Sequence, residues 1–257
     1  DCSGGAGIQA DLKAFSANET FGMSVITSVV AENTTRVLSV FNVPVEEIQK
    51  QIDAVFEDIH VDAVKLGMLP TAEIISAVAD KLNEYKPSII VCDPVMVATS
   101  GDALSEGETV SAMREKLFPI VTLLTPNIPE AEAISGLEIK NENHMEKAAR
   151  IIMDMGVKNV LVKGGHLTGD AVDYLCTPEG VHKLVCKRVD SPNTHGTGCT
   201  LSSAITANLA HGMDMLSAVT KAKNYITEAI EKSFTVGKGH SPVNHFYDYY
   251  DLKGTVL

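Results

Sequence analysis

The chain has 257 residues, 45% of them hydrophobic, and its 33 acidic against 21 basic residues give a formal charge of -12. That is enough apolar chain for a substantial core, while the acidic balance argues against non-specific nucleic-acid binding and leaves open a phosphate-bearing substrate held by backbone N–H groups and a cation. Five irregularly spaced cysteines fit neither a disulfide framework nor a zinc pattern, and no apolar run reaches the roughly eighteen residues of a membrane span.

Ser3-Gly4-Gly5-Ala6-Gly7 runs into Ile8, Leu12 and Phe15 at helical spacing, so a glycine-rich loop is expected to feed a helix. Such loops follow strands, which predicts a strand ahead of Asp1 that the sequence does not display. Met23 to Ala31 reads as a strand ending at Glu32-Asn33-Thr34-Thr35, and Val37 to Val43 as another. Pro44 then opens a helix with Ile48, Ile52, Val55, Phe56 and Ile59 on one face.

A regular alternation follows. Ala63 to Leu66 predicts a strand, 71–85 a helix, and Ser88 to Cys92 a continuous apolar strand suited to burial on both faces. A polar loop at 99–102 leads to a short helix at about 108–117. Val121 to Leu124 is the next strand, then a helix at about 145–155 and the strand Val160-Leu161-Val162. Ala171 to Arg188 reads as a hairpin turning at Gly180, followed by helices at about 197–210 and 216–233. The last twenty or so residues have no assigned element. With no repeat or low-complexity linker, one α/β domain over 1–257 is expected, containing repeated strand–helix units.

Asp93, Asn127, Lys163 and the loop Asn193-Thr194-His195-Gly196-Thr197-Gly198-Cys199-Thr200 all stand just beyond apolar strands or at helix starts. In an open α/β sheet the carboxyl ends of the strands are where ligands bind. The 193–200 loop opens onto an apolar helix, so its N–H groups could cradle an anion, with Cys199 in their field; a glycine turn with Cys199 in the core is the plain alternative. A helix N-terminus lowers a thiol below its free value of about 8.5, which would suit a general base.

Asp93 could bind a metal-bound water or a substrate hydroxyl, or form a turn before Pro94. Asn127 and Glu130 could organise Mg2+ through water or begin a helix. Lys163 could meet a phosphate or pair with an acid, and Met68 and Val95 could wall a pocket or fill the core. His166 reads as a plain loop residue. No Walker A lysine loop and no G-x-S-x-G elbow occurs.

The run Ser3-Gly4-Gly5-Ala6-Gly7-Ile8-Gln9-Ala10-Asp11-Leu12-Lys13, with Gly67-Met68, Asp93-Pro94-Val95-Met96, Thr125-Pro126-Asn127-Ile128-Pro129-Glu130, Val162-Lys163-Gly164-Gly165-His166 and the 193–200 loop, resembles the hydroxymethylpyrimidine/phosphomethylpyrimidine kinases of thiamine biosynthesis. These are members of the ribokinase-like superfamily, and the likeness extends through 239–246. The resemblance implies a central mostly parallel β-sheet flanked by α-helices, a homodimer, and ATP- and Mg2+-dependent phosphorylation of a small heteroaromatic alcohol. Its substrate would be 4-amino-5-hydroxymethyl-2-methylpyrimidine and then the monophosphate. The cysteine pattern, read as reduced thiols, predicts a cytoplasmic location.

By the same resemblance Cys199 matches the catalytic base, and Gly196, Thr197 and Gly198 the anion hole. Asp11, Glu32, Met68 and Val95 match the pyrimidine pocket. Asn127 and Glu130 match the magnesium motif, Asn127 and Lys163 serve the nucleotide, and Asp93 lies near metal and transferred phosphate. Two departures stand out: cysteine replaces the aspartate of many superfamily kinases, and Glu32 replaces the glutamine common in the thiamine enzymes. Ionised Glu only accepts hydrogen bonds, whereas Gln also donates. The rival activities are pyridoxal/pyridoxine kinase, a non-catalytic vitamin binder, and a thiol hydrolase using Cys199 with His195.

Overall fold

The computed structural model describes residues 1–96, 106–165 and 170–249. Its contacts divide the chain into two units, one from Asp1–Val55 and the chain from Val189 onward, the other from the chain between them. The predicted loop at 99–102 and His166 lie outside the described residues.

The first unit opens with α1 (Gly7–Ala17), whose fully buried residues are Ala10 and Ala14; Ile8, Leu12 and Phe15, whose spacing predicts the helix, are half-buried. β1 (Ser28–Asn33) and β2 (Arg36–Asn42) form an antiparallel hairpin with a register shift at Ala31/Glu32. Asn33 closes its turn, its side-chain oxygen accepting from the N–H groups of Thr35 and Arg36 at 2.9 and 3.1 Å. The extended run expected from Met23 becomes a strand only at Ser28. Ahead of it, the Gln51 side chain holds both backbone groups of Ile26, at 2.9 and 3.1 Å, to α2 (Val45–Phe56). Ile48 and Ile52 bury the helix face, but Ile59 lies past its end and is exposed.

The second unit is built on a six-stranded sheet. β3 (Val64–Leu66), β4 (Ile90–Cys92), β5 (Leu123–Leu124) and β6 (Val160–Val162) pair in parallel in that order, and β7 (Ala171–Thr177) and β8 (Gly180–Cys186) continue it antiparallel. Every residue of β4, β5 and β6 is buried, as a parallel sheet covered on both faces requires. The helices are α3 (Ala72–Tyr85), α4 (Glu106–Ala112), α5 (Ile128–Ser135) and α6 (Glu142–Asp154). Thr71 caps α3 by accepting from the Ile74 N–H at 3.2 Å. The helix expected over 108–117 is regular only to Ala112; it widens into a π-turn over Met113–Leu117 and ends in a 3-10 turn where Pro119 cannot extend the ladder.

The chain then returns to the first unit with α7 (Thr197–Ala210) and α8 (Met215–Glu231). α7 is buried at every position from Thr200 to Leu209 and packs on α1 and α8. Residues 236–249 follow without strand or helix. Among the described residues no helix is long and apolar enough to cross a membrane.

Candidate active site

In the first unit two glycine-rich loops lie against each other. Gly196 opens α7 at φ +75, where L side chains are strained, and a Cβ there would collide with the carbonyl of Gly5. Gly5 is itself buried, and a Cβ on it would run into the His195 ring. The 3–6 loop is shaped by Asp1. One carboxylate oxygen accepts from the Ser3 N–H at 2.6 Å, and the other from Gly5 and Ala6 at 3.1 and 2.8 Å. That second oxygen also stands 2.9 Å from Nε2 of His195.

Gly196, Thr197, Gly198 and Cys199 make the half-buried opening turn of α7. First-turn N–H groups have no intrahelical acceptor and carry the positive end of the helix dipole, so this turn favours an anion. From α1, Asp11 accepts a hydrogen bond from Ser203 of α7 at 2.8 Å, close along the helix from Cys199. The Glu32 carboxylate lies within 4.8 Å of both the Asp1 carboxylate and a His195 ring nitrogen. Burial lowers the His195 pKa, while the charge of Glu32 raises it. Beneath the turn, Nε2 of the buried His245 sits 3.0 Å from the Thr200 hydroxyl, and burial, reinforced by the charge of Lys13, pushes that imidazole down to about 4. It is therefore neutral at pH 7 and braces the helix start without adding charge.

In the second unit the polar side chains stand at the carboxyl ends of neighbouring strands, as the sequence pattern predicts. The backbone ladder runs one residue past the strands: Asp93 N–H bonds Leu66 O, Thr125 N–H bonds Cys92 O, and Lys163 N–H bonds Pro126 O, at 2.9, 2.9 and 2.8 Å. This extension keeps the three side chains abreast. The Lys163 ammonium donates to Oδ1 of Asp93 at 2.7 Å, and the Thr125 hydroxyl donates to the same oxygen at 3.0 Å. Asp93 is almost fully buried, so the pairing offsets a charge that would otherwise be costly to desolvate.

Asn127 and Glu130 form a reciprocal capping box at the start of α5. The Asn127 side chain accepts from the Glu130 N–H at 2.9 Å, and the Glu130 carboxylate accepts from the Asn127 N–H at 2.8 Å. Burial raises the Glu130 carboxyl to about 7; Lys163 opposes this and Asp93 adds to it. Met68 and Val95 are half-buried just beyond β3 and β4.

The predicted site residues thus fall into two sets. Asp11, Glu32, Gly196, Thr197, Gly198 and Cys199 belong to the first unit, and Met68, Asp93, Val95, Asn127, Glu130 and Lys163 to the second. Of the alternatives weighed for Lys163 and for the Asn127/Glu130 pair, the structure shows the plain one in each case: the lysine pairs with an acid, and the Asn–Glu pair begins a helix. Three residues were not singled out beforehand: Asp1, Thr125 and His245. For Asp1 a signal existed, since Asp directly before Ser-Gly-Gly is a turn former. For Thr125 and His245 no local pattern pointed to their partners.

Residues 1–244 match the model of a family described as phosphomethylpyrimidine kinase. Over 254 residues the chain is 48% identical to the thiamine biosynthesis bifunctional protein ThiED of Geobacter sulfurreducens, a match covering 98% of this chain and 52%, about half, of that relative. It is 44% identical over 251 residues to the hydroxymethylpyrimidine/phosphomethylpyrimidine kinase of Haemophilus influenzae, covering 96% of this chain and 93% of the other. Among solved structures, an ADP complex of Bacillus subtilis pyridoxal kinase superposes with a TM-score of 0.89 at 39% identity, covering 95% of this chain and 93% of that one.

Proposed function

The chain belongs to the phosphomethylpyrimidine kinase family, and on that premise we propose that it moves the γ-phosphoryl group of ATP to 4-amino-5-hydroxymethyl-2-methylpyrimidine and then to the monophosphate, in thiamine biosynthesis. The supporting geometry is the left-handed Gly196 opening a buried helix, with Cys199 in its first turn. The first transfer forms a bond from the hydroxymethyl oxygen to the γ-phosphorus and breaks the one to ADP; in the second, a phosphate oxygen of the monophosphate is the nucleophile and no hydroxyl proton is removed. In the first transfer Cys199 takes the hydroxyl proton, and the backbone of Gly196, Thr197 and Gly198 receives the charge that develops on the moving group. Positioning and electrostatics supply most of the rate.

Asp11 and Glu32 hold the ring, with Glu32 accepting from the 4-amino group. Asn127 and Lys163 serve the nucleotide. Asp93 and Glu130 would hold Mg2+ through water: both are buried acids, and a carboxyl raised to about 7 is one that a nearby cation would ionise. When bound, the ion would offset negative charge on the nucleotide phosphates. Both units would form a single kinase domain, in a cytoplasmic homodimer whose self-association the exposed apolar side chains Val29, Leu38, Val40 and Phe41 of the β1–β2 hairpin would favour.

The second reading, a pyridoxal/pyridoxine kinase, is favoured by the structural likeness to the Bacillus subtilis enzyme. Steady-state kcat/KM for the aminopyrimidine and for pyridoxal on one preparation separates them. A clear preference for the pyrimidine is expected; a preference for pyridoxal would transfer the assignment to vitamin B6.

A further inference from the structure

On the phosphotransferase reading given above, we propose that His195, held by the Asp1 carboxylate, is a positioning residue that sets the anion loop at the start of α7 against the 3–6 glycine loop.

His195 is the point at which three separate segments meet. Its ring bonds Asp1 at 2.9 Å, and its backbone N–H donates to the carbonyl of Ser241 at 3.1 Å, next to a bridge with Pro242. Ser241 is fully buried and tied to Val236 by two bonds of 2.8 Å, so that anchor is rigid. The same segment reaches the β1–β2 turn, where His240 N–H bonds Thr34 O at 2.9 Å and Gly239 N–H bonds the Thr34 hydroxyl at 3.0 Å. Gly196 follows His195 directly, so a shift of the His195 backbone moves the first N–H groups of α7.

Asp1, Glu32 and His195 also have the spacing of a cation site. The Asp1 carboxylate, however, already receives the N–H groups of Ser3, Gly5 and Ala6 and stands at hydrogen-bond distance from His195 Nε2. A cation would have to compete with all of these, each of which shapes the loop. The arrangement suits a fastener rather than a metal ligand. Its Asp1 end is 2% exposed and its histidine end 22%, so water competes little for the bond.

Three variants of the full chain test this. His195→Leu removes the hydrogen bond, His195→Gln restores a donor near the position of Nε2, and Asp1→Asn keeps the shape but places a donor against N–H groups. Each is measured for kcat on the aminopyrimidine, KM for Mg-ATP, and melting temperature. His195→Leu should lose about 30- to 100-fold in kcat, the scale of a misplacement of about 1 Å, with KM for ATP within about threefold and little change in melting. His195→Gln should recover to within about fivefold. Asp1→Asn should match the leucine variant, and the double variant should be no worse than the poorer single one, because one bond is lost in each case.

A leucine variant within about threefold of wild type, a glutamine variant no better than leucine, or losses that multiply in the double variant would each overturn the proposal. Should His195→Leu not fold, Asp1→Asn compared with His195→Gln carries the same test. The wild-type rate alone tests the pyrimidine kinase reading, whereas the ratio of variant to wild type on whichever alcohol is turned over tests the fastener.

Discussion

Replacing Gly196 with alanine probes the contact between the two glycine loops, and Gly212 supplies the control. Both glycines sit in the left-handed region, at φ +75 and φ +80, so alanine meets the same backbone strain of roughly 1–2 kcal/mol at either position. At Gly212 a Cβ would enter open space, with no neighbouring heavy atom within 4 Å. At Gly196 the Cβ collides with the carbonyl of Gly5, which cannot retreat because Gly5 abuts His195 and Pro242. Overpacking of that kind adds roughly 1–3 kcal/mol. A chain of this length loses about 2–4 °C per kcal/mol. Gly212→Ala should therefore melt roughly 4 °C low with wild-type kcat, and Gly196→Ala roughly 10 °C low with kcat reduced about 100-fold as the loops part. Thermal melts followed by circular dichroism and a coupled assay of ADP release give both numbers. Equal melting losses for the two variants, or a Gly196→Ala enzyme with wild-type kcat, would refute the reasoning.

Cys199→Ala should lower kcat about 100- to 1000-fold while calorimetric ATP affinity stays close to wild type; an unchanged kcat would remove the general-base role. Glu130 gives a pH signature. Burial, aided by Asp93 and opposed by Lys163, holds its carboxyl at about 7 against an ordinary 4.5. The folded state thus keeps the proton more tightly than the unfolded chain, so this contribution is whole below pH 4.5 and is lost as pH rises through about 7. Urea midpoints from about pH 5 to about pH 8 should fall for the wild type by an amount worth up to about 3 kcal/mol. The fall should be smaller in Glu130→Gln, which keeps an acceptor for the Asn127 N–H. Parallel curves for the two proteins would show that Glu130 titrates normally.

Asp93 and Lys163 at the sheet edge were legible because each ends a run of buried apolar residues: Cys92 gives way to Asp93 and Val162 to Lys163. Period and polarity sufficed to place them. The helix α1 was legible from spacing, but its most buried side was not. Ile8, Leu12 and Phe15 have helical spacing, but close packing against α7 selects the small Ala10 and Ala14 instead. The bond between Asp1 and His195 joins residues 194 positions apart. Nothing in local composition reports such a partner, and the same holds for Thr200 with His245. The Asn127/Glu130 spacing carried two meanings at once, a helix cap and a metal motif, and capping geometry does not by itself decide between them.

The division of the first unit between the two ends of the chain bears on how the protein is made. Ala10 and Ala14 of α1 find their packing partner only when α7 has left the ribosome, and about 130 residues separate the two portions of that unit. At ~5–20 residues per second, synthesis of that interval takes roughly 7–26 s. Throughout it α1 and the β1–β2 hairpin, with Phe41 and Leu38 exposed even in the finished fold, wait unsatisfied. The intervening chain, with its sheet complete by Cys186, can settle meanwhile. Nascent chains therefore hold this apolar surface open until the residues from 189 onward emerge, and a chaperone that covers α1 and the hairpin during that interval would raise yield.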